Sequence, residues 1–394
     1  MKFINDVDIE GKRVFIRCDF NVPLDENSNI TDDSRIKAAL PTIQYAIDNK
    51  AKVILASHLG RPKGKRVERL SLKPVAKRLT TLLGKEVVFI EDFESREGRE
   101  KLGSLSVGDV ALLENLRFWE GEEEDSEDFA RRLLELFDVY VNDAFGVCHR
   151  KHASVHKLAE LSDVAVGGFL LKKELDYFNK IFTINEKPFV AVVGGSKVSG
   201  KLDCLINLLN IADKLIIGGA QAFTFLRALG YRTGKSLVEE ELIGEAGRIM
   251  DEAKQKGVKF YLPVDFVCSA SIEDEAGYKV VPYQEIPDDL MGLDIGPASV
   301  ELFGEVLRDA RVVVWNGPMG VFEVKAFANG TNRIAEIIGS LNALTVIGGG
   351  DTADAVSRAG QSANMSYIST GGGASLRLLE GKKLPAVEVL ESKS

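Results

Sequence analysis

Four apolar runs in the second half of the chain end in consecutive glycines, at 194–195, 218–219, 348–350 and 371–373. Backbone amides can close on a phosphate at such turns because no Cβ stands in the way. Lys197 and Lys201 follow the first pair at the spacing of a phosphate-binding P-loop, but Leu202 replaces the hydroxyl that holds magnesium in that motif. A carboxylate must supply that ligand, and Asp351 follows the third glycine run. The pattern predicts a nucleotide polyphosphate site.

In the first half of the chain, charged and polar side chains follow the predicted strands. Planar guanidinium groups bind carboxylate and phosphate oxygens bidentately. Asp19 and Asp143 are either catalytic carboxylates or groups that orient nearby arginines. With one substrate on each half, the simplest chemistry is phosphoryl transfer, which depends on positioning and charge neutralisation. The cationic group that suits a small, multiply charged anion is Arg35, His58, Arg61, Arg117 and Arg150.

Strand-length apolar runs alternate with stretches of helical spacing, which is typical of parallel α/β proteins. Open parallel sheets bind ligands beyond the carboxyl ends of their strands, so the residues after each run are the candidate site. We predict two doubly wound, Rossmann-like parallel-sheet domains, joined by a helix over Leu170 to Phe182. The predicted strands are Val14–Arg17, Lys52–Ser57, Glu86–Ile90, Val110–Glu114, Val139–Asn142, Phe189–Val193, Lys214–Ile217, Lys259–Pro263, Val312–Trp315, Thr345–Ile347 and Tyr367–Ser369.

Composition excludes several classes of function. The chain has 394 residues, enough for two domains, and its 50 basic and 59 acidic side chains give a net charge of −9. That charge argues against a nucleic-acid or membrane surface. The four cysteines show neither zinc spacing nor a disulfide framework, and no apolar run is long enough to span a bilayer. We expect a cytoplasmic monomer with small-molecule substrates and no nucleic-acid or membrane partner.

Two further groups of residues have a structural interpretation beside a functional one. The acid-rich stretch 120–128 is expected to be a solvated loop that runs into a helix, with Ser126 as the N-cap. His149, His152 and His156 suggest a metal site, but no second ligand cluster at zinc spacing lies nearby. We therefore prefer His149 as a neighbour of the anion site.

Several motifs, in order and over nearly the whole chain, resemble those of the phosphoglycerate kinases. They lie at 17–24, 57–62, 113–118, 141–146, 194–198, 315–323, 348–352 and 369–375. The resemblance implies reversible phosphoryl transfer from 1,3-bisphosphoglycerate to ADP, giving 3-phosphoglycerate and ATP in glycolysis, with the nucleotide bound as its Mg²⁺ complex. Arg377 departs from the pattern, because a glutamate is often found there.

The resemblance also implies which domain binds which substrate. An N-terminal domain, 1–168, would bind 3-phosphoglycerate, and a C-terminal domain, 188–377, would bind the nucleotide. An interdomain helix, 169–187, would join them, and the active site would lie in the cleft between them. The C-terminal tail, 378–394, would pack back on the first domain.

Site residues are carried over from the family position by position. Arg35 and Lys197 would meet the transferred phosphoryl group, helped by the amides of Gly371, Gly372 and Gly373, and Asp351 would hold the metal. The three-carbon acid would contact Asp19, Phe20, Asn21, Arg35, His58, Leu59, Gly60, Arg61, Arg117 and Arg150. The nucleotide would contact Gly195, Lys197, Lys201, Gly219, Gly292, Asn316, Pro318, Glu323, Gly349, Gly350, Asp351 and Thr352.

Two other functions share part of this pattern. A dinucleotide-dependent oxidoreductase would share the sheet topology, but the chain lacks a G-x-G-x-x-G turn followed by an acidic ribose binder. A non-catalytic nucleotide sensor would need the second half, but it has no use for the arginine group of the first half.

Small-angle scattering tests whether the predicted connector helix acts as a hinge. If the substrates bind to separate domains, closure about Leu170 to Phe182 should expel water and align them. We expect the radius of gyration to fall when both ligands are bound. An unchanged radius with turnover intact would exclude hinge closure.

Overall fold

The computed structural model describes residues 1–393, which fold into two compact units. Unit 1 comprises Met1–Asp176 together with the segment from Lys383 onward, and unit 2 comprises Tyr177–Lys382. The division falls inside one helix, Phe169–Thr183, which is the helix predicted over 170–182. The roles assigned to the two domains and to this helix stay predictions.

Strands and helices alternate along most of the chain. The strands are β1 (Arg13–Cys18), β2 (Lys52–Ala56), β3 (Val87–Ile90), β4 (Val110–Leu113), β5 (Val139–Asp143), β6 (Ala165–Gly167), β7 (Phe189–Val193), β8 (Lys214–Ile217), β9 (Lys259–Tyr261), β10 (Asp265–Ser269), β11 (Lys279–Pro282), β12 (Met291–Ile295), β13 (Val312–Asn316), β14 (Leu344–Gly348) and β15 (Tyr367–Ile368). The α-helices are α1 (Ser34–Asp48), α2 (Lys73–Leu83), α3 (Arg96–Gly103), α4 (Glu120–Glu123), α5 (Glu127–Leu134), α6 (Lys157–Leu161), α7 (Phe169–Thr183), α8 (Leu202–Leu208), α9 (Gln221–Ala228), α10 (Ile243–Lys256), α11 (Pro297–Leu307), α12 (Asn329–Gly339), α13 (Gly350–Arg358), α14 (Gly372–Leu379) and α15 (Pro385–Ser392). Short 3₁₀ turns lie at Ile4–Asp6, Glu68–Leu70, Leu116–Phe118, Phe145–Val147, Glu240–Leu242, Tyr283–Glu285, Lys325–Phe327 and Ser362–Asn364.

Unit 1 is built on a parallel sheet of six strands in the order β3-β4-β2-β1-β5-β6. Its central strands are almost entirely buried, as expected where helices cover both faces of a parallel sheet. Arg17 lies opposite Ala56 of β2 and Asn142 of β5. The segments that follow these three strands therefore leave the sheet at one edge. The C-terminal helix α15 belongs to this unit, where Ala386 N donates to Cys148 O at 3.3 Å.

Unit 2 repeats this arrangement with the order β15-β14-β13-β7-β8-β9, again all parallel. Trp315 in the central strand is fully buried, and its indole Nε1 donates to Gly317 O at 2.7 Å. Asn316 lies opposite Val193 of β7 and Gly348 of β14. The glycine turns after β7, β13 and β14 therefore start at the same level of the sheet.

The sequence predicts both large sheets correctly, and each of its eleven strands is present with ends shifted by at most two residues. It misses β6 and a small antiparallel sheet of order β11-β10-β12. Strand β6 has only three residues and ends in a glycine. Strand β11 is largely exposed, so the alternation that marks a half-buried strand is absent from it.

Asp143, at the end of β5, holds the start of helix α7. Its Oδ1 accepts hydrogen bonds from Leu170 N at 2.9 Å and from Leu171 N at 3.1 Å. A side chain at Gly168 would collide with this carboxylate, so the close approach requires glycine. This role differs from both interpretations offered from the sequence, a catalytic acid or an orienting partner for arginines. Asp143 satisfies amides that a helix N-terminus leaves without intrahelical partners.

The pH dependence of stability tests the burial of this carboxyl group. Burial raises the pKa of Asp143 to about 7 in the folded chain. In the unfolded chain an aspartate has a pKa of about 3.9, so the folded chain binds this proton more tightly. The stabilisation is complete below the unfolded pKa and is lost as pH rises through about 7. Asp143→Asn cannot titrate, so the stability of the wild type relative to this variant should fall as pH rises from about 4 to 8.

Urea unfolding followed by circular dichroism at several pH values measures this difference. Asp128→Asn, at an exposed position of α5, is the matched control. A difference that stays constant or grows with pH would contradict the assignment.

Candidate functional site

The carboxyl edge of the unit 1 sheet gathers most of the residues predicted to bind the three-carbon acid. Asp19 follows β1, His58 follows β2 and Arg117 follows β4, and all three are nearly completely buried. A helix that starts at Ser34 brings Arg35 to the same place. The site is built from strand ends on a rigid sheet, with helix α1 adding one cation.

Hydrogen bonds link these residues into one cluster. Arg35 Nη1 lies 2.5 Å from Asp19 Oδ2, and His58 Nδ1 lies 3.9 Å from the other oxygen of Asp19. Arg117 Nη1 donates to Gly60 O at 2.7 Å, and Gly60 N donates to Asn21 Oδ1 at 2.8 Å. Asp19 therefore orients one arginine, Arg35, which is one of the two predicted alternatives.

Burial and the repulsion of nearby cations lower the pKa values of three groups in this region, His58, Arg117 and His152. Burial lowers the pKa of His58 well below its ordinary 6.5, and the charges of Arg17, Arg117 and Arg35 add to the shift. The pKa of Arg117 falls to about 10, chiefly through burial. Burial also lowers the pKa of His152 to about 3. An anion bound here would relieve this repulsion, because it would add negative charge among groups that repel one another.

The remaining predicted members lie around this cluster. Phe20 and Leu59 are buried and carry backbone groups of the same loops; Phe20 N donates to Ser57 Oγ at 2.8 Å. Arg150 is half-buried and close enough to Arg117 to lower its pKa. Arg61 is exposed, one residue beyond Gly60.

The acidic stretch 120–128 contains a residue that the sequence interpretation missed. Glu122 is fully buried and lies 3.7 Å from Arg17, which is also fully buried. The expectation of a solvated loop is therefore wrong at this position, although Ser126 does cap α5 by accepting from Phe129 N. A run of acids gives no sign of which one points inward, because the helix α4 that selects it has only four residues.

The histidines of the segment 149–156 do not gather into a metal site. Over residues 1–393, no group of three or more histidine, cysteine or acidic side chains is placed to hold a metal ion. His156 instead pairs with Asp125, at 2.7 Å from Nδ1 to Oδ2. His152 is buried beside the arginines, and the sequence assigned it no role there.

Unit 2 contains a cavity of about 430 Å³ at the carboxyl edge of its sheet. Apolar side chains such as Phe223, Phe266 and Leu293 form much of its wall. Six of the residues predicted to contact the nucleotide line it: Gly195, Gly219, Gly292, Pro318, Glu323 and Asp351. A cavity with an apolar wall and glycine turns suits a planar base and a phosphate chain.

Backbone hydrogen bonds join the glycine turns of neighbouring strands. Gly195 N donates to Pro318 O at 2.9 Å, and Gly219 N donates to Met319 O at 3.0 Å. Gly219 has a φ of 68°, and a Cβ on it would stand 2.5 Å from Gly195 N. Only glycine allows these two turns to approach so closely.

The two predicted lysines have different surroundings. Lys201 is half-buried, and its Nζ donates to Asn316 O at 2.7 Å and to Asn316 Oδ1 at 2.5 Å. Burial lowers the pKa of Lys201 to about 8. Lys197 is exposed on the same loop, which Glu239 holds by accepting from Ser199 N at 3.0 Å. Lys197 is thus available to a ligand, whereas Lys201 holds Asn316 at the end of β13.

Helices α13 and α14 begin next to each other beside this cavity. A Cβ at Gly372 would lie 3.3 Å from Gly350 N, so the two positive helix ends are adjacent. Asp351, in the first turn of α13, is exposed and lines the cavity. One carboxylate beside phosphate-binding amides fits Mg²⁺, which takes one or two carboxylates and completes its shell with phosphate oxygens and water.

Two of the predicted nucleotide residues, Thr352 and Asn316, do not line the cavity but contact the loops around it. Thr352 is buried, and its Oγ1 accepts from Gly317 N at 2.6 Å. The side chain of Asn316 faces the turn at Gly349, where a Cβ would stand 3.3 Å from Asn316 Nδ2. These residues hold the loops that form the site.

Comparison with known proteins identifies the family. A family model described as phosphoglycerate kinase matches residues 4–382. The chain belongs to the phosphoglycerate kinase family. Phosphoglycerate kinase of Nautilia profundicola is 58% identical over 391 residues, covering 98% of each chain, and that of Campylobacter jejuni is 55% identical over 392 residues, covering 99% of this chain and 98% of its own.

A solved structure of phosphoglycerate kinase from Coxiella burnetii has a TM-score of 0.88 and 41% identity, and the match covers 99% of this chain and 98% of that one. Membership of the phosphoglycerate kinase family makes this chain a glycolytic kinase with a carboxyl group as phosphoryl acceptor. No helix among residues 1–393 is long and apolar enough to cross a membrane.

Thr352→Val tests the supporting role of this hydroxyl. Valine has the same shape but cannot accept from Gly317 N, and a buried donor left unpaired costs about 1–3 kcal/mol. We expect a loss of stability of that size in urea unfolding, with a raised KM for ADP because the loop at Gly317 loosens. Ser357→Ala, at an exposed position of the same helix, is the control. Unchanged stability and KM would show that the hydroxyl does not hold this loop.

Proposed function

We propose that the chain catalyses reversible, Mg²⁺-dependent phosphoryl transfer from 1,3-bisphosphoglycerate to ADP, giving 3-phosphoglycerate and ATP, with one substrate held by each unit. One observation carries this proposal: the two sheet edges offer complementary sites. Unit 1 gathers buried cations, and unit 2 offers an apolar cavity rimmed with glycine amides. The first suits a small polyanion and the second suits a nucleotide.

The three-carbon acid binds to the cluster of unit 1. Asp19 orients Arg35 and lies near His58, and Arg117 is fixed by its bond to Gly60 O. Guanidinium groups held in this way can meet phosphate and carboxylate oxygens without reorganising. The full set of acid-binding residues stays as predicted from the sequence, with Arg61 and Arg150 at its periphery.

The nucleotide binds in the cavity of unit 2, with its base against the apolar wall and its phosphates toward the helix starts of α13 and α14. When bound, Mg²⁺ would neutralise phosphate charge, and Asp351 is the protein ligand we assign to it. Lys197 reaches the phosphates from the exposed loop. Lys201 contributes by holding Asn316 in place through its hydrogen bond to Asn316 O.

The reaction needs little covalent help from the protein. In the direction of ATP synthesis, the attacking oxygen of ADP is already anionic, so no general base is needed. Arg35 and Lys197 neutralise charge on the migrating phosphoryl group, and the amides of Gly371 to Gly373 add the positive end of α14. The catalytic contribution is therefore electrostatic and positional.

Turnover with and without each cation tests the proposal. A coupled assay with 3-phosphoglycerate, ATP and Mg²⁺ should show activity, and Arg35→Ala and Lys197→Ala should each lower kcat by about 10²–10³. Arg35→Ala should leave nucleotide binding intact by calorimetry. Arg96→Ala, whose side chain is 93% exposed, is the control. An inactive wild type, or full activity in both variants, would refute the proposed function.

The cytoplasmic location and the monomeric state stay predictions. Sedimentation velocity would measure the assembly state directly.

A further inference from the structure

Arg17 is the most deeply enclosed cation of unit 1, and none of the roles assigned above uses it. Its side chain is fully buried at the end of β1. Nε donates to Ser154 Oγ at 2.7 Å, and Nη1 donates to Cys18 O. Nη2 lies 3.4 Å from His58 Nδ1 and 3.7 Å from a Glu122 oxygen. Each nitrogen of the guanidinium therefore faces a partner.

Glu122 and Ser154 hold the Arg17 guanidinium in place. One oxygen of the buried Glu122 carboxylate accepts from Ser154 N at 2.9 Å, and the other accepts from Ser154 Oγ at 2.6 Å. The backbone is tied as well, because Ala153 N donates to Glu122 O at 2.8 Å and Tyr140 OH donates to Ser154 O at 2.7 Å. The carboxylate fixes the hydroxyl, and the hydroxyl fixes Arg17.

The arrangement decides which nitrogen of His58 carries the proton. A guanidinium can only donate hydrogen bonds, and Arg17 Nη2, at 3.4 Å, lies closer to His58 Nδ1 than the Asp19 oxygen does, at 3.9 Å, so Nδ1 presents its lone pair to Arg17. In the neutral ring the proton then sits on Nε2. The charged imidazolium is disfavoured as well, because burial and three arginines lower the pKa of His58. His58 therefore offers Nε2–H as a donor.

We propose that Glu122 is a positioning residue for the acid-binding site: through Ser154 and Arg17 it holds His58 as the Nε2–H tautomer, which can donate to an oxygen of the bound acid. This inference rests on the proposed function, since it assigns His58 to the three-carbon acid. It adds Glu122, Ser154 and Arg17 as residues that act through His58. Glu122 itself accepts from protein donors with both oxygens.

A purely structural role for Glu122 makes a different prediction. A buried guanidinium deprived of its carboxylate is unfavourable, so removing Glu122 would reduce stability in either case. Only the positioning role also changes the protonation site of His58 and the affinity for the acid. Stability alone therefore does not distinguish the two roles.

The first test uses the wild-type chain with ¹⁵N-labelled histidine. The chain has four histidines, so long-range ¹H–¹⁵N correlation spectra are simple, and His58→Gln identifies the signals of interest. We expect His58 to be neutral at pH 7 with the proton on Nε2. A proton on Nδ1, or a charged ring, would overturn the proposal.

The second test removes the carboxylate charge while keeping its shape. Glu122→Gln should let His58 populate both tautomers, raise KM for 3-phosphoglycerate about tenfold or more, and leave KM for ATP unchanged within about twofold. Glu124→Gln, at an exposed position two residues further on, should leave all three readouts unchanged. An unchanged KM and an unchanged His58 spectrum in a folded Glu122→Gln protein would overturn the proposal.

If Glu122→Gln does not fold, Ser154→Ala tests the same proposal. It removes the hydroxyl between Arg17 and Glu122 and leaves both charges in place. We expect the same change in the His58 tautomer and the same rise in KM for 3-phosphoglycerate. If neither changes, Glu122 does not act on His58 through Ser154 and Arg17. A wild type that shows the Nε2–H tautomer but no kinase turnover would refute the proposed function while leaving the positioning geometry intact.

Discussion

Cations buried at the carboxyl edges of the two sheets must find oxygen partners, and this requirement shapes both candidate sites. Withdrawing a guanidinium or an ammonium from water costs several kcal/mol unless protein oxygens replace the water. Arg17 meets the requirement with Ser154 and Glu122 in unit 1, and Lys201 meets it with Asn316 in unit 2. Each cation fixes the loops beside it.

Arg17 and Lys201 differ in how their charges are compensated. Arg17 lies near a carboxylate, whereas Lys201 donates to the neutral oxygens of Asn316, and burial lowers its pKa to about 8. Lys201 is therefore sensitive to any negative charge brought into the neighbouring cavity, because an anion would favour its charged form. Arg35 and Lys197 are more exposed than Arg17 and Lys201, so they can meet a ligand directly.

Patterns that depend on neighbours along the chain were predicted well from the sequence. The strands of both large sheets follow from apolar periodicity, and the glycine turns follow from their position after those strands. The cluster around Asp19 and Arg35 follows from the rule that parallel strands end at one edge. What the sequence missed depends on contacts between distant segments. Nothing in the run of acids marks Glu122 as the inward one, because its partner Ser154 lies 32 residues away.

The same limit explains why the contacts of Asp143 and Lys201 were not predicted. Each was assigned from its residue type and from its place after a strand, but the structure uses Asp143 to cap a helix and Lys201 to tie two loops together. A residue type shows which chemistry a side chain can perform. Which partner it has found depends on the fold.

A crystal structure with 3-phosphoglycerate bound is the most direct test of the central claim that the strand ends of unit 1 form the acid-binding site. We predict phosphate or carboxylate oxygens within about 3 Å of the Arg35 and Arg117 guanidinium groups and of His58 Nε2. A ligand bound elsewhere, with those guanidinium groups still turned to their protein partners, would contradict the claim.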